Sequence, residues 1–285
     1  MTKKRVKILA AGGVLAVAVV IAAVAGWYGG QRAFFRDAEI IPGSAEQDAS
    51  VQALSEQLGI ELDPGLEQHA WLLANRGRLV IHSGAFELMN PQEDGWSRNR
   101  KLDVHKVKGD TAEDNLIHIY TDTVDLENSV ANLVFIDSGM REYDGMLAVG
   151  MNIIVQWRSD AGTFDSGQRG IHAVMENGGF WSALDDEAYC YLHSAEDNWA
   201  VKRMSATPNL CQERFPSSFI GCGGNGKIDL IQLCGRIIFS GQSERWGNSM
   251  DLNLILGRFS PFRSDDVTLN ISLDNYLRPA SKDNK

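Results

Sequence analysis

Val267-Thr268-Leu269-Asn270-Ile271-Ser272-Leu273 alternates apolar and polar residues without a break. Successive side chains of a strand point to opposite faces, so Val267, Leu269, Ile271 and Leu273 share one face, and Thr268, Asn270 and Ser272 the other. That is the pattern of a half-buried strand in an antiparallel sheet. Rougher runs of the same kind occur at Leu252–Leu256, Ile228–Leu233, Leu133–Asp137, Leu116–Asp122 and Leu79–His82. Turn residues separate them, as at Asp94-Gly95, Asp144-Gly145 and Gly223–Gly226. The spacing predicts a mainly β (α+β) chain whose body, residues 78–285, is an antiparallel β-sandwich or open barrel. One helix is expected to interrupt it, capped by Ser182 and Asp185, with Leu184, Ala188 and Leu192 facing inward.

Upstream of Arg78 the period is helical. Two short helices are expected in residues 29–77, read as a helical stalk. The first is capped by Ser44 or Asp48, carries Val51, Leu54 and Leu58, and stops at Gly59. The second has Asp63 as cap, Pro64 at its first position, Leu66, Ala70 and Leu73 on its buried stripe, and Gly77 beyond its end. Ahead of these lies a stretch with no charged side chain, from Ile8 to Gln31, preceded by Lys3, Lys4, Arg5 and Lys7. A helix needs about 20 apolar residues to cross the hydrocarbon core. Residues 8–28 meet that length, with Trp27 and Tyr28 at an interface position and residues 1–7 on the cytoplasmic side. The expectation is a signal anchor in the bacterial inner membrane, N-terminus inside, with a periplasmic C-terminal domain. The alternative is a secreted protein cleaved after Ala25. A eukaryotic type II membrane protein is a further possibility, with Asn270-Ile271-Ser272 as a glycosylation sequon.

The chain has 27 basic and 37 acidic residues, a net charge of −10. Setting aside Lys3, Lys4, Arg5, Lys7 and Arg32 leaves 22 against 37, or −15, for the exported part. Such a field repels nucleic acid and anionic surfaces and favours a basic partner. All four cysteines, Cys190, Cys211, Cys222 and Cys234, lie in that part. In an oxidising compartment an even count points to disulfides, with 190–211 and 222–234 favoured among three pairings. Cys190 and His193 form a C-x-x-H pair, but without a second close-spaced pair no metal site is expected.

Gly221-Cys222-Gly223-Gly224-Asn225-Gly226-Lys227 fits the core of a phosphate-binding loop. A helix must follow such a loop, and Ile228-Asp229-Leu230-Ile231 reads as strand, so a glycine-rich turn is expected and no nucleotide. No cofactor is expected either. There is no H-E-x-x-H, no nucleophile elbow, no D-x-D and no EF-hand loop.

Two sets of residues remain as candidates. His118, Tyr120 and Asp122 share one strand face and present acid–base groups, though the wet face of an antiparallel strand is the simpler account of them. His193 with Glu196 and Asp197 is a similar set on a loop. Trp96, Trp181, Trp199 and Trp246 all sit beside turn residues and fit either platforms for a ligand or plugs of the core. These observations favour a membrane-anchored, extracytoplasmic protein-binding module of the cell envelope: a complex subunit, an inhibitor or an immunity-type factor. The alternative is an envelope hydrolase or carbohydrate-binding domain using carboxylates and turn tryptophans.

Overall fold

An uninterrupted helix, α1 (Lys3–Phe35), opens the chain. The computed structural model describes residues 3–42, 49–60, 79–89, 97–102, 117–126, 128–143, 146–165, 167–176, 182–184, 188–207, 210–219, 226–240, 251–260 and 263–272. Within α1, residues 13–35 are long and apolar enough to cross a membrane. Their apolar side chains stand clear of the rest of the protein, with Val14 72% and Ile21 62% exposed. The last turn behaves differently. Phe34 is 3% exposed and meets the ring of Phe215 edge-on at 6.0 Å, while Phe35 packs against Phe219 at 5.4 Å. Lys202 Nζ lies 5.0 Å over the Phe34 ring. Burying a phenylalanine side chain is worth about 1.5–3 kcal/mol, so the end of α1 is fastened to the domain rather than hung from it.

A second helix, α2 (Ala49–Leu58), stops where the sequence says it should. Gly59 takes φ +67°, a conformation in which a Cβ is costly. Its N–H reaches the Glu56 carbonyl at 3.4 Å, and the Ile60 N–H reaches Ser55 at 3.2 Å. These two bonds form a Schellman cap, and Ile60 packs in the same cluster as Leu54. The expected caps Ser44 and Asp48, and the expected helix at 63–77, lie outside the described residues.

The strands in chain order are β1 (Glu39–Pro42), β2 (Leu79–Ser83), β3 (Phe86–Met89), β4 (Ser97–Leu102), β5 (Ile117–Leu126), β6 (Ser129–Tyr143), β7 (Met146–Ser159), β8 (Gln168–Glu176), β9 (Ser182–Leu184), β10 (Tyr189–Ser194), β11 (Asn198–Arg203), β12 (Ser205–Thr207), β13 (Leu210–Phe215), β14 (Ile228–Ser240), β15 (Asp251–Ser260) and β16 (Arg263–Ser272). They form two sheets. The larger runs β1-β11-β10-β14-β7-β6-β5-β2, with β9 also paired to β14; the smaller runs β12-β13-β8-β15-β16-β4-β3. All pairs are antiparallel except β2 with β5 and β4 with β16. The helix expected at 182–192 is not formed: β9 and β10 are strands there. Leu184, Ala188 and Leu192 do recur at helical spacing, but Tyr189–His193 is a short continuous run buried on both faces, for which periodicity does not separate helix from strand.

The sheets pack face to face. Leu252, Leu254 and Leu256 of β15 and Ile171 of β8 meet Leu133, Phe135, Val155, Ile231 and Leu233 of the larger sheet. The outer face of the larger sheet is covered as well. Ile117, Ile119, Val134, Ile136 and Ile154 pack with Leu54, Leu58 and Ile60 from α2 and its cap. Leu269, in the strand that announced the fold, is fully buried in the inter-sheet core. Leu254→Ala should therefore lower stability by about 2–5 kcal/mol in a urea titration, with the slope unchanged. A loss below about 1 kcal/mol would remove Leu254 from the packed core.

Candidate functional site

The register of β2 against β5 brings together residues far apart in sequence. His82 stands opposite Tyr120, and Val80 opposite His118. The His82 ring lies nearly parallel to His118 (17°, 5.3 Å between centroids) and to Tyr120 (14°, 4.9 Å). His82 Nε2 and His118 Nδ1 share a hydrogen bond of 3.0 Å, one ring donating and the other accepting. Tyr120 is 5% exposed and belongs to the inter-sheet core. At Tyr120 this strand face is turned to the interior, while His118 and Asp122 on the same face are half-buried. His82 is the residue that the sequence did not single out. Its partner lies 36 residues away, and only the parallel pairing connects them.

Asp122, two residues further along β5, borders a surface cleft of about 260 Å³. Its lining comes from the end of α2 and its cap (Leu58, Gly59, Ile60), from Ser83 and Gly84 after β2, and from Thr121, Thr123, Asn132, Leu133 and Val134 of β5 and β6. Gly84 holds φ +65° in the turn between β2 and β3. Thr123 Oγ1 donates to Asn132 Oδ1 at 3.0 Å, and Asp122 Oδ1 accepts from the Thr123 N–H at 2.8 Å. The cleft thus offers hydroxyl, amide and carboxylate groups beside an apolar wall, a composition suited to gripping a ligand. His118 and Tyr120 are not among the residues that line it.

A second polar cluster sits where β10 turns into β11. His193 Nδ1 lies 2.7 Å from Asp229 Oδ1, and Nε2 lies 3.6 Å from Asp197 Oδ1. Asp197 occupies the left-handed position of the turn, φ +63°. Trp199 packs against the His193 ring at 4.7 Å. Asp197 had been visible in the sequence; Asp229, from β14, had not. Glu196 places its backbone N–H on Ser194 Oγ rather than its carboxylate on His193.

Trp199 is only 2% exposed and sits in the outer-face cluster, a core position. Trp96, Trp181 and Trp246 lie outside the described residues. Cys190 is buried in the inter-sheet core and Cys234 in the outer-face cluster, so the two point to opposite sides of one sheet and cannot bridge each other. Cys190 Sγ donates to the Tyr191 carbonyl, and Cys234 Sγ accepts from Gln232 Nε2. No disulfide is formed among the described residues. Cys222 and the Cys211 side chain lie outside them. After the glycine-rich segment, Gly226 and Lys227 lead straight into β14, with Phe219 N–H bonded to the Gly226 carbonyl. No group of three or more metal-ligating side chains occurs among the described residues.

No protein-family model matches the chain, and no curated protein matches its sequence. Among solved structures it is similar to the collagen-binding domain of the Erysipelothrix rhusiopathiae surface protein RspB, with TM-score 0.28 and 5% identity over 44% of this chain and 43% of that one. It is also similar to the collagen-binding subdomain of the Enterococcus faecalis surface protein ACE, with TM-score 0.29 and 8% identity over 56% and 96%. The E. coli adhesin CfaE gives TM-score 0.27 and 6% identity over 52% and 58%. The chain thus spans less than half of the RspB structure, and likeness at this level identifies neither family nor activity.

Two outcomes follow from the side-chain environments. Cys190 and Cys234 should resist alkylation in the folded protein and both react after denaturation without reductant, as read by peptide mass; a failure to react would reveal disulfides. His193→Ala should cost about 1–3 kcal/mol in thermal or urea unfolding, because it removes the hydrogen-bond partner of the mostly buried Asp229 carboxylate.

Proposed function

We propose that this chain is a membrane-anchored, extracytoplasmic protein-binding module of a bacterial cell envelope, acting as a complex subunit, an inhibitor or an immunity-type factor. One observation carries the reading: α1 is apolar and exposed over most of its length, yet its last turn is packed into the sandwich. Lipid is the solvent that such an exposed surface requires. The basic residues before it support an orientation with the N-terminus in the cytoplasm and the sandwich in the periplasm. Retention of α1 fits the anchor better than cleavage after Ala25, since a cleaved chain would keep the docked turn but lose most of the span.

The binding surface is the cleft between the α2 cap and β5–β6. Its mix of Leu58 and Ile60 with Asp122, Thr123 and Asn132 resembles the apolar centre and polar rim of protein interfaces. The acidic balance of the exported part favours a partner with basic groups. His118 and Tyr120 are engaged with His82 in the interior, which leaves the cleft without an imidazole for acid–base work.

A second reading, an envelope hydrolase, has its support in the His193–Asp229 pair. A carboxylate that orients an imidazole is the arrangement acid–base catalysis uses. Burial of Trp199 takes one of the four tryptophans from the carbohydrate-platform version of this reading.

The test is affinity purification of the tagged full-length protein from its own membranes, with co-purifying proteins identified by mass spectrometry. One stoichiometric partner is expected. Thr123→Trp, which fills the cleft at an exposed position, should reduce its recovery about tenfold or more without changing the circular dichroism spectrum. Undiminished recovery would move the interface elsewhere. A partner-free preparation that hydrolyses an envelope substrate, and loses that activity in His193→Gln, would establish the second reading.

A further inference from the structure

Strand β5 outruns the strand beside it. β2 pairs with it from Leu79 opposite Ile117 to Ser83 opposite Thr121, and then turns away at Gly84. β5 continues to Leu126, accompanied by β6 on its other side as far as Ser129. Among the described residues, no strand pairs with β5 on the β2 side past Thr121.

The backbone of that stretch is turned outward. The peptide groups of a strand alternate in direction, and the Thr121 carbonyl accepts the Ala85 N–H at 3.3 Å, so it faces the β2 side. Thr123 and Asp125 follow at the same period and face that side too. The Thr123 N–H is held at 2.8 Å by Asp122 Oδ1, a side chain standing where a neighbouring strand's carbonyl would be. Thr123 and Asp125 are both exposed. A short open ladder is therefore left beside the cleft, which Thr123 itself lines.

The two faces of β5 decide what fits there. Tyr120 and Val124 belong to the inter-sheet core, so the even-numbered residues face inward. Ile117 and Ile119 belong to the outer cluster with Leu58 and Ile60, which puts Thr123 and Asp125 on that outer face. A strand added here would carry apolar residues inward, extending the core past Val124, and polar residues outward beside Thr123 and Asp125. Charge selects their sign. Asp122 is the one charged residue among the described residues lining the cleft, and Asp125 follows it along the edge. Arg158 of β7, in the same row as Asp125, stands two strands away beyond Val130. Two copies of this edge brought together would set like charges against each other, which disfavours self-pairing.

We propose that the edge of β5 from Thr123 to Leu126 binds an extended basic segment of the partner protein as an added strand, in line with β2. The segment's backbone takes the outward N–H and C=O groups of Thr123 and Asp125, one of its carbonyls replacing Asp122 at the Thr123 N–H. Its apolar residues close over Val124, and its basic residues lie beside the Asp125 carboxylate. The proposal rests on the reading of the cleft as a protein-binding surface and names the form of the segment bound there.

Hydrogen exchange of the full-length protein in mild non-ionic detergent, read by mass spectrometry with a capped heptapeptide of alternating lysine and valine as probe, tests it. Exchange over residues 122–126 should slow about tenfold at saturating peptide. A glutamate–valine peptide should bind about tenfold more weakly or worse. Methylating the probe's backbone nitrogens, on its lysines or on its valines, should bring binding to background for one of the two sets, because only one set faces β5. Asp125→Asn should weaken binding about threefold, the scale of a surface ion pair. Asp125→Pro also removes the outward N–H without touching a bond to β6, and should weaken it about tenfold further. Binding that leaves exchange at 122–126 unchanged, or that neither methylated set weakens, would overturn the proposal. So would slowed exchange in peptide-free protein that grows with protein concentration, which assigns the edge to a second copy. If Asp125→Pro does not fold, the methylated probes decide alone. The cleft reading fails separately: it falls if Thr123→Trp keeps the natural partner in the membrane purification. Loss of that partner, with no effect of the peptide on exchange, sinks only the added strand.

Discussion

The larger sheet is buried on both of its faces, and most of the structure follows from that constraint. One face packs on the smaller sheet and the other on α2 and its cap. Strands in such a setting cannot alternate between core and water. β6 carries Leu133-Val134-Phe135-Ile136 and β7 Ile153-Ile154-Val155, every one of them buried. Polar groups in the same layer must answer one another. Gln156 and Gln232 are both buried on neighbouring strands, with Nε2 of the first donating to Oε1 of the second at 3.1 Å. Trp157 likewise places its indole N–H on Ser129 Oγ at 2.9 Å. Left unpaired, each such group would cost about 1–3 kcal/mol, so these pairs also hold the strands in register.

The same constraint decides what could be read from the sequence. The β class, the helix α2 and its Gly59 stop were legible because they rest on local signals: alternation, helical spacing and a left-handed glycine. The misreading at 182–192 has the opposite cause. Tyr189–His193 is buried on both faces and so lost the alternation that marks a strand exposed on one side. His118 and Tyr120 were set on one face correctly, but Tyr120 on that face is buried in the inter-sheet core, since nothing local to β5 reveals a second layer above it. The clusters that give the protein its polar character join strands distant in sequence, as His82 with His118, His193 with Asp229, and Arg169 with Arg258. Register, not motif, brings them together.

Attachment of the helix follows from the same packing. The ends of a sandwich expose the edges of its core, and here Phe215 and Phe219 stand at one end with Phe34 and Phe35 laid over them. Gln31, 1% exposed, brings its amide to within 3.5 Å of Ser218 Oγ, so even the polar residue of this turn is enclosed. Past the last turn the chain bends at Arg36-Asp37, where the hydrogen bond from Arg36 draws the Asp37 carboxyl below its ordinary range. That pair is on the open surface, where screening leaves little net stabilisation. The aromatic contacts therefore hold the joint.

A joint of this kind changes what an anchor does. A flexible tether only raises local concentration, whereas a helix built into the core also fixes direction. β1 begins four residues after α1 ends and pairs with β11, so the chain enters the larger sheet almost at once. The cleft beside β5 and β6 lies near the β2 edge of that sheet, whereas β1 forms the opposite edge. Five strand-to-strand steps lead from β1 to β6 and six to β5, or about 24–29 Å at ~4.8 Å per step. On the proposed reading, a partner at the cleft would be held to one side of α1, at a distance set by the width of the sheet.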